Sequence, residues 1–165
     1  KTSIFYYNDK GNVVSKKRYN SNKKMLDETS YLHNLKGQLT LQLKLIPSIN
    51  YTMKESYIYD AKGDLTERHK TSPIGTTKEI FDYDSKGLPI KKSEYNTMGQ
   101  LFSVIVYQYN EHDDKISLKK YDSDNNLDYY EDYEYSYDTH NNWTERISFE
   151  KGIKTSIEKR EIKYY

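Results

Sequence analysis

Large side chains alternate with polar ones along most of the chain, in short runs separated by polar segments. Alternation with a period of two residues places every second side chain on the same face of a β-strand. The pattern is clearest where two aromatic residues flank a single position, as in the segments Tyr57–Tyr59 and Phe81–Tyr83. No segment of the sequence has the apolar spacing of an amphipathic helix. The alternation therefore predicts an all-β chain.

The alternating runs recur at a nearly constant distance. Each run ends on an aromatic anchor residue that is followed at once by Asn or Asp, and successive anchors lie 24 to 28 residues apart. The six anchors are Tyr7, His33, Tyr59, Tyr83, Tyr109 and Tyr137. A constant period of this size is typical of a repeat protein. We therefore expect residues 1–165 to form one domain of six repeats of about 26 residues.

Two turns punctuate each repeat. The first begins at the Asn or Asp after the anchor, whose side chain can accept bonds from the backbone that follows it. It ends three residues later at a position that tolerates positive φ: Gly11, Gly37, Gly63, Gly87, Asp113 and Asn141. A second turn follows about twelve residues after the anchor. Turns on opposite edges predict an antiparallel meander of about a dozen strands. Residues 41–56 match the repeat poorly, and they could form either a strand pair or a functional loop.

The composition limits how this sheet can be covered. Hydrophobic residues make up 35% of the chain and charged residues 31%, which by itself would indicate disorder. The 19 tyrosines argue against disorder, because a tyrosine ring buries a large area while its hydroxyl stays in water. Such a chain cannot fill a large interior. We therefore expect a single-layer sheet, and favour a curved open sheet over a rolled wall.

Charge and cysteine content exclude several classes of protein. A net charge of +1 speaks against nucleic acid as a partner. The absence of cysteine excludes disulfides and thiolate metal sites, and no cofactor is expected. No apolar window is long enough for a transmembrane helix, and residues 1–20 lack the apolar core of a signal peptide. The first residue is Lys, so we expect a mature or trimmed form.

Several segments resemble the YD repeat of the Rhs and teneurin family, most clearly Tyr57–Leu65 and Phe81–Leu88. Segment Tyr135–Arg146 resembles the Y-D-x-x-G-N-W-T variant of short secreted or lipid-anchored Bacteroidetes proteins. The resemblance covers nearly the whole chain except residues 41–56. It implies a β-repeat fold and an exported bacterial protein, at the cell envelope or outside the cell. Since the repeats of this family carry no catalytic residues, we do not expect an enzyme.

The richest candidate surface lies in residues 128–137, which hold four acids and five tyrosines. Rows of tyrosines beside acids can stack on sugar rings, so the sequence predicts a sheet face that binds a cell-surface glycan or protein. The predicted residues are Tyr107, Tyr109, Tyr133, Tyr135 and Tyr137. Pairing of the acids with Lys119, Lys120 and Arg146 on neighbouring strands would explain them without a ligand.

A second candidate is a basic edge. The position before the last turn residue is Lys10, Lys36, Lys62 and Lys86, then His112 and His140. Neighbours in this series should lie about 9.6 Å apart, twice the spacing of adjacent strands. Such an edge could meet a polymer that carries phosphates or uronates. Alternatively, these residues only keep a solvated turn soluble.

One segment superficially resembles a calcium loop. Residues 122–128 alternate oxygen-bearing side chains, but a glycine at the sixth loop position and a glutamate at the twelfth are missing. A polar turn accounts better for this segment, and no metal site is expected.

Two functions are compatible with these features. The first is a non-enzymatic exported module that binds glycan or protein through its tyrosine-lined face. The alternative is a structural segment of a larger repeat array with no ligand of its own. Residues 161–165 favour the alternative, because they resemble residues 3–7 and so begin a seventh unit. The edges of such a sheet could also mediate self-association.

Overall fold

A computed structural model describes residues 1–164 and contains thirteen strands and one short 3₁₀ helix, Pro47–Ile49. The strands are β1 (Thr2–Tyr7), β2 (Val13–Tyr19), β3 (Met25–His33), β4 (Leu39–Ile46), β5 (Tyr51–Tyr59), β6 (Leu65–Ser72), β7 (Gly75–Tyr83), β8 (Pro89–Tyr95), β9 (Leu101–Tyr109), β10 (Lys115–Asp122), β11 (Leu127–Tyr137), β12 (Trp143–Glu150) and β13 (Ile153–Lys159).

The order of the strands in the sheet is their order in the chain, from β1 to β13. This is the meander that two turns per repeat predicted, and the all-β prediction is confirmed. The sheet is open, because β1 and β13 are not hydrogen-bonded to each other. Residues 41–56 form most of the β4–β5 strand pair around the 3₁₀ helix, so the poor match to the repeat does not interrupt the sheet.

The chain divides into two compact units. One comprises residues 1–80 and 94–100, and the other comprises residues 81–93 and 101–164. The expectation of a single domain stays a prediction.

The predicted turns form through side-chain bonds to the backbone. The Oδ1 atom of Asn8 accepts bonds from the backbone N–H groups of Lys10 and Asn12, at 3.0 Å each. Equivalent bonds are made by Asn34, Asp84, Asn110 and Asp138. Asp60 instead accepts from the backbone N–H groups of Gly63 and Asp64. Where glycine is replaced at the last turn position, Asp113 and Asn141 adopt φ of 62° and 59°. Asn and Asp tolerate this region better than other residues with a side chain.

The same geometry occurs in the second series of turns. At residues 122–126, the Oδ1 atom of Asp122 accepts bonds from the backbone of Asp124 and Asn126, at 2.9 and 2.8 Å. Its Oδ2 atom accepts a bond from the amide of Asn126 at 3.0 Å. These bonds lower the pKa of Asp122. The calcium-like segment therefore contains a polar turn, and residues 1–164 contain no cluster of three acids or histidines suited to a metal.

Five of the first turns are followed by a β-bulge that the sequence did not reveal. Pairing shifts by one residue at Tyr7, His33, Tyr59, Tyr109 and Tyr137, and this leaves one residue of the next strand unpaired. In three repeats the unpaired residue is a threonine whose hydroxyl donates to a carbonyl eight residues upstream: Thr40, Thr66 and Thr144. Bulges increase the local twist of a sheet.

Burial is concentrated on polar side chains. No large hydrophobic side chain within residues 1–164 is buried, whereas Asp27, Thr29, Glu55, Ser93, Ser103 and Ser117 are. A single sheet has no second layer to pack against. Its large side chains are therefore shielded from water mainly by their neighbours on the same face. The stability of the sheet must therefore rest strongly on contacts between neighbouring side chains and on hydrogen bonds.

Candidate functional site

Three tyrosines, of which Tyr109 and Tyr135 belong to the predicted face, donate bonds to the neighbouring strand. The hydroxyl groups of Tyr59, Tyr109 and Tyr135 donate to backbone carbonyls twenty residues upstream, at 2.8, 2.8 and 3.0 Å. The acceptors are Leu39, Pro89 and Lys115, each the first residue of the preceding strand. Burial raises the pKa of all three tyrosines, so their hydroxyls are protonated donors at neutral pH. We call each of these bonds a tyrosine rung.

The structure brings the predicted face residues of β9 and β11 onto one side of the sheet. Tyr107 is paired with Leu118, which is paired with Glu131, and Tyr133 lies two residues further along β11 on the same face. The rings of Tyr135 and Tyr137 are stacked, with centroids 6.1 Å apart. All five predicted residues are half-buried, so they form a packed row.

The acid within this row binds the tyrosines themselves. Glu131 accepts bonds from the hydroxyls of Tyr129, at 2.6 Å, and of Tyr133. These bonds lower the pKa of Glu131 and raise the pKa of Tyr129 to about 12. Burial and the same carboxylate raise the pKa of Tyr133. The ammonium of Lys115 lies 4.8 Å from the ring centroid of Tyr133, where it covers that ring.

Two cations flank the single tryptophan. The guanidinium carbon of Arg160 lies 3.4 Å from the ring centroid of Trp143, and that of Arg146 lies 5.7 Å away. Arg146 is also paired with Glu158 of β13 at 2.7 Å, so this arginine does not neutralise the acids of β11 as the sequence suggested.

At the first-turn edge, the predicted basic series reaches from one repeat to the next. The ammonium of Lys36 donates to the carbonyl of Ala61 at 3.2 Å, and that of Lys86 binds Asp113 at 2.6 Å. In the last two repeats the histidine rings at this position pack against a tyrosine ring of the following repeat. The centroid distance is 4.1 Å from His112 to Tyr137 and 4.2 Å from His140 to Tyr164.

Tyr164 repeats the contacts of Tyr137. The hydroxyl of Tyr137 donates to Asp114 and accepts from the amide of Asn110, both at 2.7 Å. Burial and the bond to Asp114 raise the pKa of Tyr137 to about 12. The hydroxyl of Tyr164 likewise donates to Asp138 and accepts from the amide of Asn142. The predicted seventh unit therefore makes the contacts of an anchor at residue 164; Tyr165 lies outside the described residues.

Three clefts at the first-turn edge share the same construction. Each lies between a first turn and the end of the strand that carries the next anchor. Cleft 1, of ≈ 250 Å³, is lined by Asn8, Lys10, Asn12, Val14 and residues 31–35. Cleft 2, of ≈ 430 Å³, is lined by residues 34–36, Gln38, Thr40 and residues 57–60. Cleft 3, of ≈ 550 Å³, is lined by Asp84, Lys86, Leu88, Ile90, residues 107–110, Asp113 and Ile116.

Ion pairs cross the strands on the face that carries the tyrosine rungs. Arg18 binds Asp27 through its Nε atom at 2.8 Å, and Arg68 binds Glu79. Glu55 is buried and accepts a bond from the hydroxyl of Tyr57 at 3.0 Å. Burial, followed by this bond, raises the pKa of Tyr57 to about 12. The sequence indicates that such pairs can form, because acids and bases alternate between neighbouring strands. Which acid binds which base follows only from the register of the strands.

His33 interrupts the tyrosine rungs. It is the only non-tyrosine anchor, and its Nδ1 atom is buried without a hydrogen-bond partner in the described residues. The carbonyl of Val13 takes the place that Leu39 and Pro89 have in the other repeats, twenty residues before the anchor. An imidazole is too short to reach it in the way that a phenol does.

We expect the substitution His33→Tyr to raise the free energy of unfolding by about 1 kcal/mol, because it supplies the missing rung and removes an unpaired buried nitrogen. Urea denaturation would measure the change. The control is His33→Phe, which provides the ring without the hydroxyl. Equal stabilisation by both variants would show that ring area, and not the rung, is responsible.

Comparisons with known proteins identify the kind of sheet. No family model matches the chain, and no curated protein matches it. The chain is similar to part of the Photorhabdus luminescens Tc holotoxin pore, with 12% identity over 92% of this chain and a TM-score of 0.53. It spans only 9% of that chain. The likeness concerns the fold alone and identifies a β-repeat sheet.

Two further structures resemble the chain less closely. A complex of TcdB2, TccC3 and Cdc42 is 14% identical, with a TM-score of 0.35. The alignment covers 83% of this chain and 9% of the matched chain. A porin-like protein from Bacteroides uniformis is 12% identical, with a TM-score of 0.41. The alignment covers 93% of this chain and 89% of the porin-like chain. Within residues 1–164, no helix has the length and apolarity required to span a membrane.

Proposed function

We propose that this chain is a structural β-repeat scaffold: a sheet segment of the YD-repeat type, in an exported bacterial protein, without catalytic activity. The observation that carries the proposal is the internal use of its tyrosine hydroxyls. Tyr109, Tyr133, Tyr135 and Tyr137 all donate to groups of the sheet itself. A sugar-binding face would need such hydroxyls free for the ligand.

The contacts between repeats support the same function. In a solenoid or repeat sheet, stability comes from each unit and from its interface with the next unit. Here the contacts Lys36 to Ala61, Lys86 to Asp113 and His112 to Tyr137 join successive turns. The similarity in fold to a stretch of a much longer chain, in the Tc holotoxin pore, agrees with a segment of a longer repeat sheet.

Denaturation of matched variants tests the scaffold. We expect Tyr135→Phe to lower the free energy of unfolding by about 1 kcal/mol, since it leaves the carbonyl of Lys115 without its donor. The control is Tyr51→Phe, because the hydroxyl of Tyr51 has no partner within residues 1–164 and its removal should change little. Urea denaturation followed by circular dichroism would measure both.

Binding through the tyrosine-lined face is the competing function. A glycan-array screen of the wild-type protein beside the Tyr135→Phe variant separates the two, since the scaffold predicts no ligand for this face. A glycan that binds the wild type but not the variant, with unchanged stability of the variant, would overturn the scaffold proposal. The export that the YD resemblance implies can be tested by surface proteolysis of producing cells.

A further inference from the structure

Clefts 1 and 2 are neighbours within one compact unit and share a wall. Residues Asn34 and Leu35 line both clefts, on opposite sides of the same turn. Equivalent atoms in the two clefts belong to successive repeats and so are separated by two strands, about 9.6 Å. The pair therefore offers a lysine at the same position of the lining twice, at a fixed interval.

The lysines of these two clefts keep their positive charge uncompensated. Lys10 makes no ion pair within the described residues, and Lys36 bonds only a neutral carbonyl, that of Ala61. The one carboxylate that lines either cleft is Asp60, which is occupied by the backbone N–H groups of Gly63 and Asp64 at 2.8 and 2.9 Å. An anion that entered either cleft would thus meet a lysine without displacing a carboxylate from it.

The remaining lining suits a sugar ring. Leu35, on the shared wall, is 94% exposed, and Ile58 in cleft 2 is 49% exposed. Apolar side chains of this kind can pack against the C–H face of a pyranose. The amide side chain of Asn12 supplies a polar group in cleft 1. Clefts that combine an apolar wall with a few polar groups are typical of ligand sites.

Cleft 3 has the same construction but different electrostatics. Its lysine, Lys86, is paired with Asp113 at 2.6 Å, and Asp84 is a second acid in its lining. An anionic ligand would have to compete with Asp113 for this lysine. Cleft 3 therefore differs from clefts 1 and 2 in that its lysine already has a carboxylate partner.

We propose that clefts 1 and 2 together bind a linear anionic polysaccharide of the uronate type, with one carboxylate at Lys10 and a second at Lys36. The interval between the clefts is comparable to the length of one disaccharide unit in an extended 1,4-linked chain. A polymer with carboxylates at that interval engages both clefts at once, and the second contact is then intramolecular. This inference goes beyond the scaffold function, which stands or falls separately.

The test is isothermal titration of the full chain with oligogalacturonate of six sugars at low ionic strength. We expect Lys10→Gln/Lys36→Gln to weaken binding about tenfold or more, since two exposed ion pairs are lost. The charge-matched control is Lys62→Gln/Lys86→Gln, which removes two lysines from the same turn position and should leave the affinity nearly unchanged. Monomeric galacturonate should bind about a hundredfold more weakly than the hexamer.

A third variant separates a built site from general attraction to a cationic surface. Leu35→Ala keeps every charge and alters a side chain that is almost fully exposed, so it should fold normally and still weaken binding several-fold. Unchanged affinity of this variant, or equal losses in the two lysine double variants, would overturn the proposal. Absence of hexamer binding, or equal binding of a neutral glucan hexamer, would also overturn it, and neither result would affect the stability test of the scaffold.

Discussion

Replacement of Gly75 by alanine is expected to lower the free energy of unfolding by about 3 kcal/mol. Gly75 begins β7 with φ of +127°, a conformation that residues with a side chain rarely adopt. A Cβ atom at this position would lie 2.9 Å from the Cβ atom of Thr97 and 3.0 Å from its Cγ2 atom. Backbone strain and overpacking therefore add at one site. Urea denaturation of the wild type and the variant would measure the loss.

Two further variants assign the loss to its causes. Gly99 also has positive φ, +76°, but no atom lies within 4 Å of the Cβ that alanine would introduce. Gly99→Ala should therefore cost only the backbone term, about 1 kcal/mol. Thr97→Gly combined with Gly75→Ala should recover the steric part of the loss. If Gly75→Ala lowered the free energy of unfolding by no more than Gly99→Ala does, the close approach of Gly75 to Thr97 would be contradicted.

Asp27→Asn is expected to lower the free energy of unfolding by about 2 kcal/mol at neutral pH. Asp27 is only 4% exposed and binds the guanidinium of Arg18, so the variant leaves a cation without its counter-charge. Breaking a fully buried pair usually costs about 3 to 5 kcal/mol. The lower figure applies here because the side chain of Arg18 is 45% exposed and partly solvated.

The same ion pair gives the stability a definite pH dependence. The bond from Arg18 holds the pKa of Asp27 below its ordinary value, so the folded state binds this proton more weakly than the unfolded state does. The stabilisation is therefore present above about pH 4 and is lost as the pH falls through the lowered pKa. Glu131, whose pKa the tyrosine hydroxyls lower, acts in the same direction.

Denaturation curves between pH 7 and pH 3 would measure this effect (the pH values bracket the ordinary carboxyl range). Asp27→Asn should flatten the curve of stability against pH, whereas Asp124→Asn should leave it close to that of the wild type. Asp124 is an exposed turn residue without a side-chain partner in the described chain. Parallel curves for the wild type and Asp27→Asn would contradict the role of this carboxylate.

The recurring geometry explains how a chain with so little hydrophobic content can fold. Each repeat adds an Asx turn at its edge, and three of them add a tyrosine rung between neighbouring strands. Asp27 is buried because Arg18 of the adjacent strand satisfies it, and Glu55 because it accepts a bond from Tyr57, two residues along its own strand. Contacts with the neighbouring repeat thus provide much of the stability that a hydrophobic core provides in a globular domain.

The sequence by itself determined the period, the turns and the meander. These features depend on interactions within a few residues, such as the bonds from Asn8 to the backbone of Lys10 and Asn12, and on period-two alternation. Local interactions of this kind are readable without knowledge of strand pairing. The prediction of an open sheet likewise followed from composition alone.

Only the tertiary structure decided what the candidate groups do. Tyr135 reaches a carbonyl twenty residues away, Lys86 pairs with an acid 27 residues away, and Gly75 packs against Thr97 of another turn. Those contacts depend on the register across strands and on the bulges that shift it, and neither is encoded in any short segment. A lysine series that looks uniform in sequence is therefore divided by the fold into members such as Lys86, which has a carboxylate partner, and members such as Lys36, which bonds only a neutral carbonyl.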